Sequence, residues 1–390
     1  MTSILDKIKN EKSYMTDLRR HFHQYPEPSL EEFKTAEKIE AELCSMDIPY
    51  KRVGETGVLG IIKGKKSELN KIIILRADID ALRIQEENDL PYRSKNDGLM
   101  HACAHDAHTA SLLGAAKVLM QYRDSISGEI RLVFQQAEEY GAGARKFIDA
   151  GVLEGAGRVF AIHMVPDMDV GKIDITSGPR NASTDNFIIK VKGKSSHVAT
   201  PHKGVDALYT ACQIVNALQG LVARRVSPLE SVIIGVGKLH SGTAYNIIAD
   251  EALMEGTLRT YQNLIRDELK ERIDNLSAHV AAASGAERDI SWFDFAPVLE
   301  NDELVCEELV EIAAKIAGSE GVVRDRSRSL GGDDFADFLV AVPGAYVNIG
   351  CANPGKLQIP LHNCCFNINE DSLIYAAAMY AEYALWFLKE

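Results

Sequence analysis

Short apolar runs that break off at acidic or histidine residues are the recurring pattern of this chain. Residues 57–63 (GVLGIIK) and 71–76 (KIIILR) have the length and continuous apolar character of buried strands. The second run ends in Ala77-Asp78-Ile79-Asp80. A third, EIRLVFQQ, ends in Ala137-Glu138-Glu139, and a fourth, RVFAI, ends in His163. Helical periodicity fills the intervals. Residues 3–22 predict a polar amphipathic helix that stops near Pro26. Ser29, with Glu32 three residues on, reads as a capping box opening a helix to about Ser45. An apolar helical run, SLLGAAKVLM, follows residue 110.

From about 183 to 297 the pattern changes. Strands are expected at 186–192, 231–239, 250–259 and 289–295, with helices at 204–223 and 262–284. That β-α-β-β-α-β order is the ferredoxin-like split unit. Gly178-Pro179 and Ala296-Pro297 flank it as hinge-type sequences. After residue 302 helix and strand alternate again, with a GGDDFADFL helix start, a strand at 345–350 and a last helix over about 371–388. The expected fold is therefore α/β: a mixed sheet flanked by helices, interrupted by an inserted ferredoxin-like α+β domain. The expected boundaries are 1–182 with 298–390, and 183–297.

Composition narrows the function. A chain of 390 residues has room for two or three domains. Its net charge of −13 argues against nucleic acid as a partner. No run is apolar over membrane length, and the start lacks a signal-peptide pattern. Seven scattered cysteines, an odd number in a large chain, argue against a disulfide framework and fit a reducing cytoplasm.

The candidate chemistry lies in Met100–Ala110, where His101, Cys103, His105, Asp106 and His108 crowd into a loop and the first turn of a helix. Thiol, imidazole and carboxylate are the usual donors for a divalent metal. Asp78 and Asp80, Glu138 and Glu139, and His163 each follow a strand, where ligands gather in open α/β sheets. Adjacent residues of an extended chain face opposite ways, so Glu138 and Glu139 are expected to divide between substrate and metal.

Five stretches carry a resemblance: RRHFHQYPE at 19–27, RADIDAL at 76–82, HACAHDAH at 101–108, FQQAEE at 134–139 and PLH at 360–362. In order and spacing they resemble the aminoacylase and carboxypeptidase-like dinuclear metallohydrolases. They are most similar to the branch with hippurate hydrolases, indoleacetyl-amino-acid hydrolases and N-acetyldiaminopimelate deacetylases. Ala104 and Gln136 stand where that branch usually has Gly and Pro, and Tyr140 and Val165 also depart from it.

The resemblance implies two divalent ions, manganese or zinc, on Cys103, His105, Glu139, His163 and His362. It implies Glu138 as general base, Asp80 orienting a ligand histidine, and Asp78 as a catalytic or structural companion. Asp106 and His108 would brace the loop. In the inserted domain, a lid and dimerisation module, it implies His197 and Asn246 as hydrogen-bond donors to the oxyanion and Arg259 as a clamp for the substrate carboxylate. The implied activity is hydrolysis of N-acyl amino acids by a homodimer. A dipeptidase or carboxypeptidase is the alternative, and a non-catalytic binding protein a more distant one. His21, His23, His202, His240, His279, Cys364 and Cys365 are read as structural or solvated.

Overall fold

The apolar runs become neighbours in one sheet. The computed structural model describes residues 3–66, 71–355 and 358–389. In it the strand Ile72–Asp78 lies between Glu129–Gln135 and Arg158–Asp169, parallel to both. Such strands are covered on both faces, which is why they read as unbroken apolar runs. Gly57–Lys63 and Tyr50–Val53 extend the sheet antiparallel on one side. Gly344–Ala352, Ile173–Asp174 and Val322–Val323 complete the eight strands on the other. Parallel register sets Asp78 opposite Gln135 and His163 opposite Asn348. The carboxyl ends of Ile72–Asp78 and Glu129–Gln135 therefore lie side by side, next to the strand that carries His163.

The helix His105–Met120 is buried on every side, from His105 through Leu119 apart from Lys117. The helices Lys12–Gln24 and Ser372–Lys389 pack against it. Gly114 lets the helices approach closely: a Cβ there would stand 2.3 Å from the Met15 sulfur and force that side chain to shift. The N-terminal helix predicted over 3–22 is in fact two, Ile4–Asn10 and Lys12–Gln24. The break falls at Glu11, whose carboxylate pairs with Lys117 at 2.7 Å.

The capping box is also corrected. The third helix spans Phe33–Ser45, and Glu32 at its N-cap makes no side-chain cap bond. Ser29 and Glu32 spend their polar groups elsewhere. The Ser29 hydroxyl donates to Asp80 at 2.6 Å, and Glu32 accepts from the Ala137 N–H at 2.8 Å. Tertiary partners outcompete the local motif.

The chain forms two units. The first runs to Gly178 and includes Glu300–Ser327 and the chain from Asp334 onward. The second comprises Pro179–Leu299 and Arg328–Asp333. The short segment Arg328–Asp333, expected in the first domain, is instead tied to the second. Ser329 N–H donates to Arg180 O at 2.8 Å, and Ala182 N–H to Ser329 O at 3.1 Å. The second unit has an antiparallel sheet in the order Val232–Ser241, Glu251–Thr260, Ser183–Lys192, Glu287–Ala296. With the helices Ala207–Arg225 and Asn263–Ala283 this is the ferredoxin-like arrangement. Phe187, Ile189, Ile214, Leu218 and Ile273 are among its core residues. Among the described residues no helix is long and apolar enough to cross a membrane.

Candidate metal centre

The loop before the buried helix turns at Ala104, the N-cap residue, which has φ +66°. This left-handed conformation costs a residue with a Cβ roughly 1–2 kcal/mol. It explains why glycine is usual here. Ala104→Gly is expected to raise stability by up to about 1 kcal/mol, after the entropy glycine adds to the unfolded chain. Denaturant midpoints of the two proteins check this; a lower midpoint for the glycine variant would refute the strain.

Two histidines are oriented by their Nδ1 atoms. His105 Nδ1 donates to the Asp80 carbonyl at 2.9 Å and approaches Asp80 Oδ1 at 3.2 Å. His163 Nδ1 donates to Met164 O at 2.8 Å. Each ring therefore presents the Nε2 lone pair inward. His163 Nε2 lies 3.6 Å from Cys103 Sγ. His105 Nε2 lies 4.0 Å from both Glu138 Oε2 and Glu139 Oε1. His362 Nε2 lies 3.4 Å from Glu139 Oε1. The structure thus draws together Cys103, His105, Glu138, Glu139, His163 and His362.

Glu138 and Glu139 do not point opposite ways. Ala137, at φ +52°, breaks the extended chain, and Gly141 N–H closes a turn on Glu138 O at 2.7 Å. Both carboxylates consequently reach His105. Nor does His163 end its strand, which runs on to Asp169.

His105 Nε2 and Glu139 Oε1 are buried and have no hydrogen-bond partner among the described residues. Leaving such atoms unmet is costly. Burial opposes protonation of His105, but the Asp78 and Asp80 carboxylates push its pKa up to about 10. Burial and then Glu139, Glu138 and Asp78 push the Cys103 thiol well above its ordinary value. These groups call for positive charge. A proton or a metal ion can supply it, and the mixed thiol, imidazole and carboxylate donors suit a metal. The residues present fit the group.

Asp78 also borders the cluster, its Oδ2 3.7 Å from His105 Nε2, but both of its oxygens are engaged by neighbours. Its Oδ1 accepts from His108 Nδ1 at 2.6 Å and its Oδ2 from Arg76 at 2.7 Å. His108 Nε2 in turn accepts the Met164 N–H at 2.9 Å, which fixes the backbone beside His163. Asp80 Oδ2 accepts from Ser29 and, at 3.1 Å, from Glu139 N–H. Asp106 accepts from Arg19 at 2.9 Å and bonds His23 at 2.8 Å.

Several supporting residues escaped the sequence reading. Buried Arg76 bridges Asp78, Gln135 and Asp334. Asp334 also accepts from Gly143 N–H and Ala144 N–H, anchoring the turn after Glu139. Their signals were present, in RADIDAL and GGDDF, but nothing local says that the two meet.

In the second unit, His197 and Asn246 are neighbours on a two-stranded ribbon. Ile247 pairs with His197, and Val198 N–H donates to Asn246 O at 3.0 Å. Arg259 donates to Leu330 O at 2.5 Å.

Comparison with known proteins places the chain in a family. Residues 74–386 match the model of peptidase family M20/M25/M40. The chain is similar to an N-acetylcysteine deacetylase of Bacillus subtilis, 38% identical over 96% of this chain and 97% of that one. It is also similar to thermostable carboxypeptidase 1 of Saccharolobus solfataricus, 37% identical over 98% and 99% of the two chains. A crystal structure of a dinuclear metal-binding M20 peptidase from Bacillus subtilis superposes with a TM-score of 0.83 at 36% identity, covering 98% and 99%. The chain belongs to the peptidase M20/M25/M40 family, in its amidohydrolase branch, and is a metallohydrolase acting on carbon–nitrogen bonds.

Proposed function

We propose that this chain cleaves the amide of N-acyl amino acids, releasing a carboxylic acid and an amino acid. The observation that carries the reading is the linked cluster of Cys103, His105, Glu139, His163 and His362, with the Glu138 carboxylate beside His105 and Glu139. The five donors would hold two divalent ions, manganese or zinc, which supply polarisation of the scissile carbonyl and a lowered pKa for the attacking water. Glu138 takes the proton of that water on its carboxylate and delivers it to the leaving nitrogen. Asp80 holds His105 in the required tautomer. Asp78, through His108 and Arg76, fixes the strand ends that carry the donors. From the second unit, His197 and Asn246 would donate to the oxyanion and Arg259 would bind the substrate carboxylate, with one of its donors on Leu330. We further infer a homodimer through the second unit, whose sheet has its edges at Val232–Ser241 and Glu287–Ala296, and a cytoplasmic location, the latter supported by seven free cysteines.

One feature of the first unit favours an acylated substrate over a free amine. A cavity of about 430 Å³, within two residues of His163 and His362 in sequence, is walled by Val165, Pro166, Pro360 and Leu361 together with Asp167, Arg326 and Gln358. Its carboxylate, Asp167, is held by both oxygens on Arg326, each at 2.7 Å. The mainly apolar wall suits an acyl chain, and the one carboxylate in it is already paired with Arg326. With added manganese or zinc, N-acetyl, N-benzoyl and N-fatty-acyl amino acids are expected to be cleaved at least about tenfold faster than plain dipeptides. Chelator should abolish the amine release and metal restore it. Faster cleavage of dipeptides would move the assignment to a peptidase, and metal-independent turnover would sink the metal mechanism.

A further inference from the structure

We propose that Cys364, Cys365 and Glu87 form a separate metal site for a thiophilic dication such as zinc. These residues have no part in the reaction above, and the inference does not rest on it. The ligand atoms of all three lie within 4.8 Å of one another. The two sulfurs are 3.9 Å apart. Tetrahedral zinc with Zn–S bonds of about 2.3 Å sets its sulfurs about 3.8 Å apart. The thiols therefore already stand at the spacing that such an ion imposes.

The site is also held in place. Glu87 N–H donates to Cys364 O at 2.9 Å, and the Asn88 side chain donates to Phe366 O at 3.0 Å. Cys365 N–H donates to the Asn363 side chain at 2.9 Å, which fixes the turn that brings the two thiols together. Glu87 is exposed and the cysteines half-buried, so an ion reaches them from solvent without opening the core. Two thiolates and a carboxylate make three ligands and leave a fourth position for water. Binding releases the two thiol protons to solvent. The ion would join the segment around Glu87 to the loop that carries His362.

Metal-free full-length protein, titrated with zinc in equilibrium dialysis, tests the site. The wild type is expected to take up one more ion per chain than the Cys364→Ser/Cys365→Ser double variant. Glu87→Gln should weaken that ion by at least about tenfold, since even an indirect partner contributes as much. Cadmium should add a thiolate-to-metal ultraviolet band, beyond any from Cys103, that the double variant lacks. A readout that needs no variant is protection: saturating zinc should shield the peptide holding both cysteines from iodoacetamide, as seen by mass spectrometry. Equal ion counts in wild type and double variant would overturn the proposal. So would full alkylation of both thiols under saturating zinc, or recovery of the pair as a disulfide in protein that takes no extra ion.

Discussion

Replacing Glu138 by Gln is expected to lower kcat on the best N-acyl amino acid by about 10²- to 10⁴-fold, the usual worth of a positioned general base. Metal content should stay at the wild-type level. The amide keeps the shape of the carboxylate but cannot accept the proton of water. Glu138 is well placed for this test because its backbone is fixed independently of its charge. Ala137 holds φ +52° against a hydrogen bond to Glu32, and the following turn closes on Glu138 O. Its Oε2 stands 4.0 Å from His105 Nε2, beside Glu139. Steady-state kinetics with elemental analysis on the same preparation separates the outcomes. Parallel loss of metal and turnover would make Glu138 a ligand, and turnover within about threefold of wild type would remove it from the proton path.

Arg19→Met is expected to cost about 3–5 kcal/mol of stability, the penalty for leaving a buried charge without its partner. Arg19 and Asp106 are both fully buried, and the guanidinium also reaches Glu370 at 3.2 Å and Asn367 at 2.9 Å. Burial works against ionisation of Asp106, but Arg19 and His23 hold its pKa well below the usual carboxylate range. A depressed carboxylate stabilises the fold above its unfolded pKa of about 3.9, and that contribution is lost as pH falls through the folded value. Without Arg19 the folded value rises, so acid unfolding should begin at higher pH than in the wild type. Denaturant titrations at neutral pH and an acid titration followed by circular dichroism check both statements. A stability change below about 1 kcal/mol would show that the pair contributes little. The consequence reaches function because Asp106 follows His105 on the first turn of the buried helix.

Much of this architecture was written locally. Continuous apolar runs set the central strands, because a strand covered on both faces has no polar side to show. In the second unit the strand Ser183–Lys192 instead alternates, burying Phe187, Ile189 and Val191, as a sheet covered on one face requires. The residue types at the strand ends pointed to metal chemistry, since few other roles put thiol, imidazole and carboxylate in one loop. What failed was local reading of groups that have distant partners. Ser29 and Glu32 look like a capping box because their spacing is right. A capping box holds only when no better acceptor or donor is near, and Asp80 and the Ala137 N–H supply them. The alternation expected of Glu138 and Glu139 assumed an extended chain, which a left-handed Ala137 removes. Arg76 and Asp334 are 258 positions apart, so no periodicity or spacing could reveal that they share a bond. Sequence alone picked out candidate metal-binding residues and the apolar strands that lead up to them. The tertiary structure decided which nitrogen each histidine offers, which carboxylates turn inward and what holds them there, because those choices are made by hydrogen bonds between strand ends far apart in the chain.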